Sequence, residues 1–169
     1  MVHLLLKLID MTALMNAINK NNATLVGQLI ENGADVNELD SNQDAPLVIA
    51  AYKGYDQIVK SLLDAGADVT AVDPGMKATA LHAAAYAGRN EAAKLLIAYH
   101  IDINKQGPYN GYTALHDAIW QNNVEVVKTL LDANADLKLL SNDHKSALEL
   151  AKSKNRKEIV ALIQSKMEK

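Results

Sequence analysis

One leucine returns at an almost constant interval along the chain, and this spacing constrains the fold more than any other feature. Successive copies are separated by 33, 34, 34 and 33 residues. A period of this length indicates a repeat architecture, in which each repeat is one supersecondary unit. The copies of this motif leucine are Leu14, Leu47, Leu81, Leu115 and Leu148.

The residues around each motif leucine predict two helices per repeat. Two positions before most of the leucines stands a hydroxyl residue, which can cap a helix start. Seven positions after every leucine stands Gly or Asn, which tolerate the left-handed backbone that ends a helix. Apolar pairs then recur at the spacing of a helix buried on one face. The hydroxyl residues are Thr12, Thr79, Thr113 and Ser146, and the stop residues are Asn21, Gly54, Gly88, Asn122 and Asn155.

A polar, turn-rich loop follows each second helix, as after Gly33-Ala34-Asp35-Val36. Neither helix of a repeat can bury its apolar face alone, so neighbouring repeats must stack. The sequence therefore predicts an all-α repeat solenoid that forms a single domain over residues 1–169. The predicted repeats are residues 10–40, 41–73, 74–107, 108–140 and 141–167.

The pattern resembles the ankyrin repeat over roughly residues 10–167, nearly the whole chain. The Thr-Pro-Leu-His start of that repeat is matched best by Thr79-Ala80-Leu81-His82 and Thr113-Ala114-Leu115-His116. Its Gly-Ala-Asp-Val-Asn end stands at residues 33–37. The resemblance implies a stack of about five helix-turn-helix repeats joined by hairpin-like loops. It also implies that His82 and His116 are structural and hydrogen-bond near the helix start and the neighbouring loop.

The chain departs from this pattern in the second repeat and at both ends. Pro46 keeps the proline of the motif, but Ala45 replaces the capping Thr, so Asp44 is expected to serve as the cap. In the last repeat, Gln164 takes a position that is apolar in earlier repeats, which predicts a polar terminal cap. Residues 4–9 are expected to lengthen the first helix or to fold over its open end. Two capped ends favour a monomer.

Composition excludes several classes of partner. The chain has 17 basic and 20 acidic residues and a net charge of -3, so we expect no nucleic-acid binding. No apolar run approaches the roughly 18–20 residues of a membrane span, so we expect no membrane insertion. The absence of cysteine rules out disulfides and thiolate metal sites. Without a recognisable signal peptide, the cytoplasm is the favoured location.

Acidic residues recur once per repeat, but their pattern does not favour catalysis. The column comprises Asp35, Asp68, Asp102 and Asp136. Acid–base catalysis needs groups that reach one substrate and have distinct environments, whereas repetition makes these environments alike. We expect these carboxylates to stabilise the loops by accepting backbone hydrogen bonds. Because no phosphate loop, serine elbow or metal-spaced cluster occurs either, the sequence predicts no enzyme activity, no cofactor and no metal.

Aromatic residues mark the candidate binding surface. Five positions after the motif leucine, three consecutive repeats carry Tyr52, Tyr86 and Trp120, and the resemblance places this position on the concave groove of the stack. We call these three residues the aromatic ladder. Tyr109 and Tyr112 are expected to lie on the same side, in a hairpin finger. Polar neighbours should form the rim; they are Lys53, Gln121, Asp44 and Asn110.

An exposed row of aromatics is typical of a docking surface, because Tyr and Trp are enriched among binding hot spots. The sequence therefore predicts a protein–protein interaction module that binds a partner protein through this groove and its loop fingers. Two alternatives stay open. The rings could stack between repeats and only stiffen the solenoid, or they could form a stacking platform for a small molecule or peptide. A deep cavity at Trp120 would favour the receptor.

Overall fold

The computed structural model describes residues 13–168, which form ten helices arranged in pairs. No β-strand forms within this range, although Val72 and Thr79 make one isolated antiparallel bridge. The helices are α1 (13–19), α2 (Ala23–Glu31), α3 (Pro46–Lys53), α4 (Asp56–Asp64), α5 (Ala80–Ala87), α6 (Asn90–Ala98), α7 (Ala114–Gln121), α8 (Val124–Asp132), α9 (Ala147–Ser153) and α10 (Lys157–Met167).

The helices stack in two layers. First helices pack side by side, with α5 between α3 and α7 and with α7 against α9. Second helices form the other layer in the order α2, α4, α6, α8 and α10. Contacts between neighbouring helix pairs thus build one continuous core, and the predicted all-α repeat solenoid is confirmed. Each predicted repeat range contains one helix pair; these exact boundaries remain a proposal.

Two columns of residues hold the first helices together. The motif leucines of the first four pairs are at most 2% exposed, while Leu148 in the last pair is partly buried. Three positions after each motif leucine stands an alanine that is at most 1% exposed. These small side chains allow the helix axes to approach closely. The alanines are Ala17, Ala50, Ala84, Ala118 and Ala151.

The helix boundaries follow the predicted stops but not every predicted cap. All five stop residues adopt positive φ, between 53° and 71°. Thr113 and Ser146 cap their helices with side-chain oxygens, whereas the Thr79 hydroxyl bonds His82 instead. The prediction for Asp44 is wrong. Ala45, and not Asp44, is the N-cap of α3, and its methyl side chain makes no cap bond. Pro46 at the first helical position lacks an N–H, so the start of α3 has one unpaired N–H group fewer.

Two buried histidines tie the third and fourth helix pairs to the loops that follow them, as the family resemblance implied. The Nε2 atom of His82 donates to the Tyr112 carbonyl at 3.1 Å, and Nδ1 therefore accepts from the Thr79 hydroxyl at 2.9 Å. His116 repeats this arrangement with Thr113 and with the Lys145 carbonyl. Burial lowers the pKa of both imidazoles, which keeps them neutral.

The loops are hairpin-like and stabilised by the recurrent aspartates. Asp35, Asp68, Asp102 and Asp136 each accept a hydrogen bond from the backbone N–H two residues ahead, at 2.8–3.0 Å, so their predicted loop-stabilising role is confirmed. Backbone hydrogen bonds close the four loops; they run from Asp40 to Asp44, Asp73 to Ala78, Gly107 to Tyr112 and Ser141 to Lys145.

The two chain ends differ in what the structure describes. In α10, Gln164 is exposed, while the terminal cap predicted for this helix pair stays a prediction. The expected role of residues 4–9 and the Thr12 cap lie outside the described residues.

Alanine substitutions at two glycines would test the backbone geometry. Gly111 has φ +67°, and a Cβ there would lie 2.8 Å from the Asn142 backbone nitrogen. Gly27 lies inside α2 with open space around the position of a Cβ. We expect Gly111→Ala to lower the free energy of unfolding by about 2 kcal/mol and Gly27→Ala to raise it by about 0.5–1 kcal/mol. Urea denaturation measures both, and equal effects of the two substitutions would contradict this geometry.

Candidate functional site

A concave groove of about 630 Å³ runs across three neighbouring repeats. It is lined by α3, α5 and α7 and by the loops that precede them. Most of its lining falls in three columns, located three positions before, two positions after and five positions after the motif leucine. Each repeat thus contributes one tier of three residues. The tiers are Asp44, Ile49 and Tyr52; Ala78, Ala83 and Tyr86; and Tyr112, Asp117 and Trp120.

The middle tier creates the hollow. Ala78 and Ala83 occupy the positions that carry Asp44 and Ile49 in one neighbouring tier and Tyr112 and Asp117 in the other. Two alanines between larger side chains leave unfilled space at the centre of the groove. The cavity therefore coincides with the small residues of the middle repeat.

The aromatic ladder lies on this groove, as the sequence predicted, and its rings are about half exposed. Tyr52 is 51% exposed, Tyr86 49% and Trp120 41%. Within residues 13–168, neither Tyr52 nor Tyr86 stacks on another aromatic ring, whereas Trp120 meets Tyr112 at 6.0 Å between centroids. The ammonium of Lys154 also lies 3.3 Å from the centroid of the Trp120 ring. The alternative that the ladder rings only stiffen the solenoid by stacking therefore fits Trp120 but not Tyr52 or Tyr86.

Each ladder residue is anchored through its backbone by the following repeat. Arg89 donates to the Tyr52 carbonyl at 3.1 Å, and Arg156 donates to the Trp120 carbonyl at 2.9 Å. Asn123 holds the Tyr86 carbonyl at 3.0 Å. These carbonyls lie in the last turn of a helix, where no intrahelical partner exists. The anchors fix the backbone of the ladder while leaving half of each ring in solvent.

The loop before α7 was predicted to carry Tyr109 and Tyr112 on the same side as the groove, and the structure places one of the two in the groove lining. Tyr109 is 62% exposed but does not line the groove. Tyr112 is only 9% exposed, because its ring stacks on His116 at 5.4 Å between centroids. It forms part of the groove wall and not a free anchor. Asn110 lines the groove and accepts from the Tyr112 N–H at 2.9 Å.

Of the three other predicted rim residues, the structure places one in the groove lining and two outside it. Asp44 lines the groove, whereas Lys53 and Gln121 are half-buried beside the ladder and outside the lining. Sequence reasoning also missed several lining residues. The repeat register could have found four of them, because the columns three positions before and two positions after the motif leucine vary as the ladder does. The missed residues are Val48, Ile49, Asp73, Met76, Ala78, His82, Ala83, Gly107 and Asp117.

The charged residues that line the groove are all aspartates. Asp73 accepts from the N–H groups of Met76 and Ala78, both at 2.7 Å. In contrast, the described residues offer no hydrogen-bond partner to the carboxylates of Asp44 and Asp117. Burial, together with the nearby Asp40 and Asp73, raises the pKa of Asp44. Burial alone raises the pKa of Asp117 to about 7.

Comparison with known families settles what kind of stack this is. The family model described as "Ankyrin repeats (3 copies)" matches residues 1–73 and 71–141, most of the chain. The chain belongs to the ankyrin-repeat family. Ankyrin repeats generally act as protein–protein interaction modules and are generally non-catalytic.

Curated relatives support the same family. The chain is 38% identical over 74 residues to the Ankyrin repeat and SOCS box protein 6 of Mus musculus and 39% identical to that of Homo sapiens. The aligned segment covers 43% of this chain and 18% of each relative. The similarity therefore concerns the ankyrin repeats and a small part of those proteins.

The described part of the chain holds neither a metal-binding cluster nor a membrane-spanning helix. Between residues 13 and 168, no cluster of three or more His, Asp or Glu side chains is arranged to hold a metal ion. No helix in that same range is long and apolar enough to cross a membrane.

The raised pKa of Asp117 predicts a pH-dependent cost to stability. An unfolded aspartate loses its proton near its ordinary pKa of 3.8, but the folded protein retains it up to about pH 7, so stability falls as pH rises through this window. We expect Asp117→Asn to raise the free energy of unfolding by about 1–2 kcal/mol at pH 8, a value reduced for partial solvation, with little effect near pH 3.5.

Urea denaturation at several pH values measures this effect. Asp132→Asn, at an exposed position at the end of α8, is the matched control. A benefit of Asp117→Asn that does not vary with pH would contradict the assignment.

Proposed function

We propose that the chain binds a partner protein through the concave groove and the loops beside it. The observation that carries this proposal is the half-exposed aromatic ladder. Tyr52 and Tyr86 leave about half of their surface in solvent, although their backbones are firmly anchored. An anchored backbone with free aromatic rings is suited to recognition, because little conformational entropy is lost when a partner covers the rings.

The proposed mechanism is docking on a preformed surface. A specific partner typically covers about 800 Å² on each side of an interface, which exceeds the groove alone and would include the loop fingers. Tyr109 and Met76 are 62% and 58% exposed and lie in these fingers. We propose that the ladder supplies the central anchors, while Asp44 and Asn110 contribute polar contacts at the edge.

We propose that the groove carries out no reaction. Both ring nitrogens of His82, which lines the groove, are engaged in structural hydrogen bonds. Asp117 has a pKa near neutrality, but Asp44, whose pKa is also raised, lies two tiers away. At the packing distance of neighbouring helices, about 8–10 Å per tier, the two carboxyl groups cannot reach the same reacting atoms.

A small-molecule or peptide receptor is the second candidate, and one observation favours it. The groove volume of about 630 Å³ falls within the range of roughly 300–1,000 Å³ typical of ligand pockets, and Trp120 lines it. The two candidates differ in the molecule that stays bound. A receptor would retain a small ligand, whereas an interaction module would retain a protein.

We expect Ala83→Leu to abolish capture of a partner from a native lysate, because the added side chain fills the central hollow without removing any aromatic ring. Ala161→Leu, on the exposed face of α10, is the matched control and should capture the partner as the parent chain does. Circular dichroism and thermal melts establish that both variants remain folded. A Tyr52→Ala, Tyr86→Ala, Trp120→Ala variant should likewise lose the partner.

Native mass spectrometry of the recovered chain separates the two candidates. A bound protein lost with Ala83→Leu supports the interaction module, and a bound small molecule lost with Ala83→Leu supports the receptor. If Ala83→Leu and the triple variant capture the same partner as the parent chain, the groove is not the docking site.

A further inference from the structure

The groove is apolar and aromatic along most of its lining, yet every formally charged residue that lines it is acidic. Asp44 lies in the first tier and Asp117 in the third. Asp73 lies at the base of the intervening loop. Among the described residues, no lysine or arginine belongs to the lining. His82 adds no positive charge, because burial lowers the pKa of its imidazole.

Two of these three carboxylates have oxygens that can still accept hydrogen bonds from a ligand. The oxygens of Asp73 are used by its own loop, whereas those of Asp44 and Asp117 accept nothing from the described residues. Both side chains are half-buried, so each has lost part of its hydration without gaining a partner. A partly desolvated carboxylate without a partner is costly, and a cation brought by a ligand would remove that cost.

The aromatic rings beside these carboxylates also favour a ligand with cationic side chains. Aromatic faces attract cations, and a guanidinium can stack on a ring while it bonds a carboxylate with its N–H groups. Trp120 already accepts the ammonium of Lys154 over its ring. Tyr52 in the first tier and Tyr86 in the second have no lysine or arginine over their rings within the described structure, and each is about half exposed.

The spacing of the tiers sets the length of the ligand. Neighbouring helices pack about 8–10 Å apart, so Asp44 and Asp117, two tiers apart, are separated by about 16–20 Å. An extended peptide rises about 3.3 Å per residue and spans this distance in about five or six residues. The central hollow at Ala83 lies between the two acids and has room for an apolar side chain.

We infer that the occupant of the groove is an extended basic peptide segment of a partner protein. Its two cationic side chains, arginine or lysine, stand about five or six residues apart and pair with Asp44 and Asp117, and an apolar side chain between them enters the hollow at Ala83. This inference rests on the proposed function and adds the chemistry of the partner. An acidic or uncharged segment would leave both carboxylates without a counter-charge.

A selection experiment tests the inference directly. The immobilised chain is panned against a phage-displayed library of random 12-residue peptides. The expected result is a set of peptides with two arginine or lysine residues five or six positions apart and an apolar residue between them. Enrichment of peptides without basic residues, or no enrichment over a chain carrying Ala83→Leu, overturns the inference.

Synthetic peptides then separate charge from shape. For the best enriched peptide, Asp44→Asn and Asp117→Asn should each weaken binding at least tenfold, whereas Asp132→Asn should change it less than twofold. Replacing the matching arginine by neutral citrulline should abolish the sensitivity to one of the two substitutions, as a double-mutant cycle detects. Binding that Asp44→Asn and Asp117→Asn leave unchanged overturns the basic ligand.

The Ala83→Leu variant separates the proposal that the groove is the docking site from the inference that its ligand is basic. If this variant loses the peptide while the aspartate variants retain it, docking in the groove stands and the basic ligand is wrong. If Ala83→Leu and the aspartate variants all retain the peptide, both the groove and the basic ligand are wrong.

Discussion

Burial between neighbouring first helices is the interaction on which the whole structure depends. Helices of seven to eleven residues are too short to be stable alone in water, so each repeat folds only with a neighbour against its apolar face. The motif leucines fill this interface, and the column of alanines three positions later brings the helices close together. In the third and fourth repeats, His82 and His116 also connect the first helix to the next loop through buried hydrogen bonds. The rigidity that results is a property of the stack and not of any single repeat.

The same period that builds the core also builds the groove. Residues in equivalent positions point to the same face, so columns that are free to vary become rows of a binding surface. The alanines at 78 and 83 turn this surface into a cavity, and Asp117 brings an acid to a column that holds Ile49 and Ala83 in the two preceding repeats. Specificity can therefore change from repeat to repeat without disturbing the leucine and alanine columns that hold the fold.

The sequence predicted well those features that recur in more than one repeat. Helix stops, structural histidines and loop aspartates each appear several times, and recurrence distinguishes a structural requirement from chance. Single-copy features were harder to predict. The cap assigned to Asp44 was wrong because α3 begins one residue later, so that Ala45 takes the N-cap position. The stacking of Tyr112 on His116, which buries its ring in the groove wall, was not predicted. The cavity and the burial of Asp117 depend on the sizes of side chains from three repeats, which no single motif contains.

The central claim is that recognition takes place on the tiers of the groove. Chemical-shift perturbation of the ¹⁵N-labelled chain, titrated with its captured partner, tests this claim most directly. We predict that the largest shifts occur at the amides of Ala83, Tyr86 and Asp117 and at the indole N–H of Trp120. Shifts confined to the outer layer, at α4, α6 and α8, would contradict the account and would place the binding surface on the opposite face of the stack.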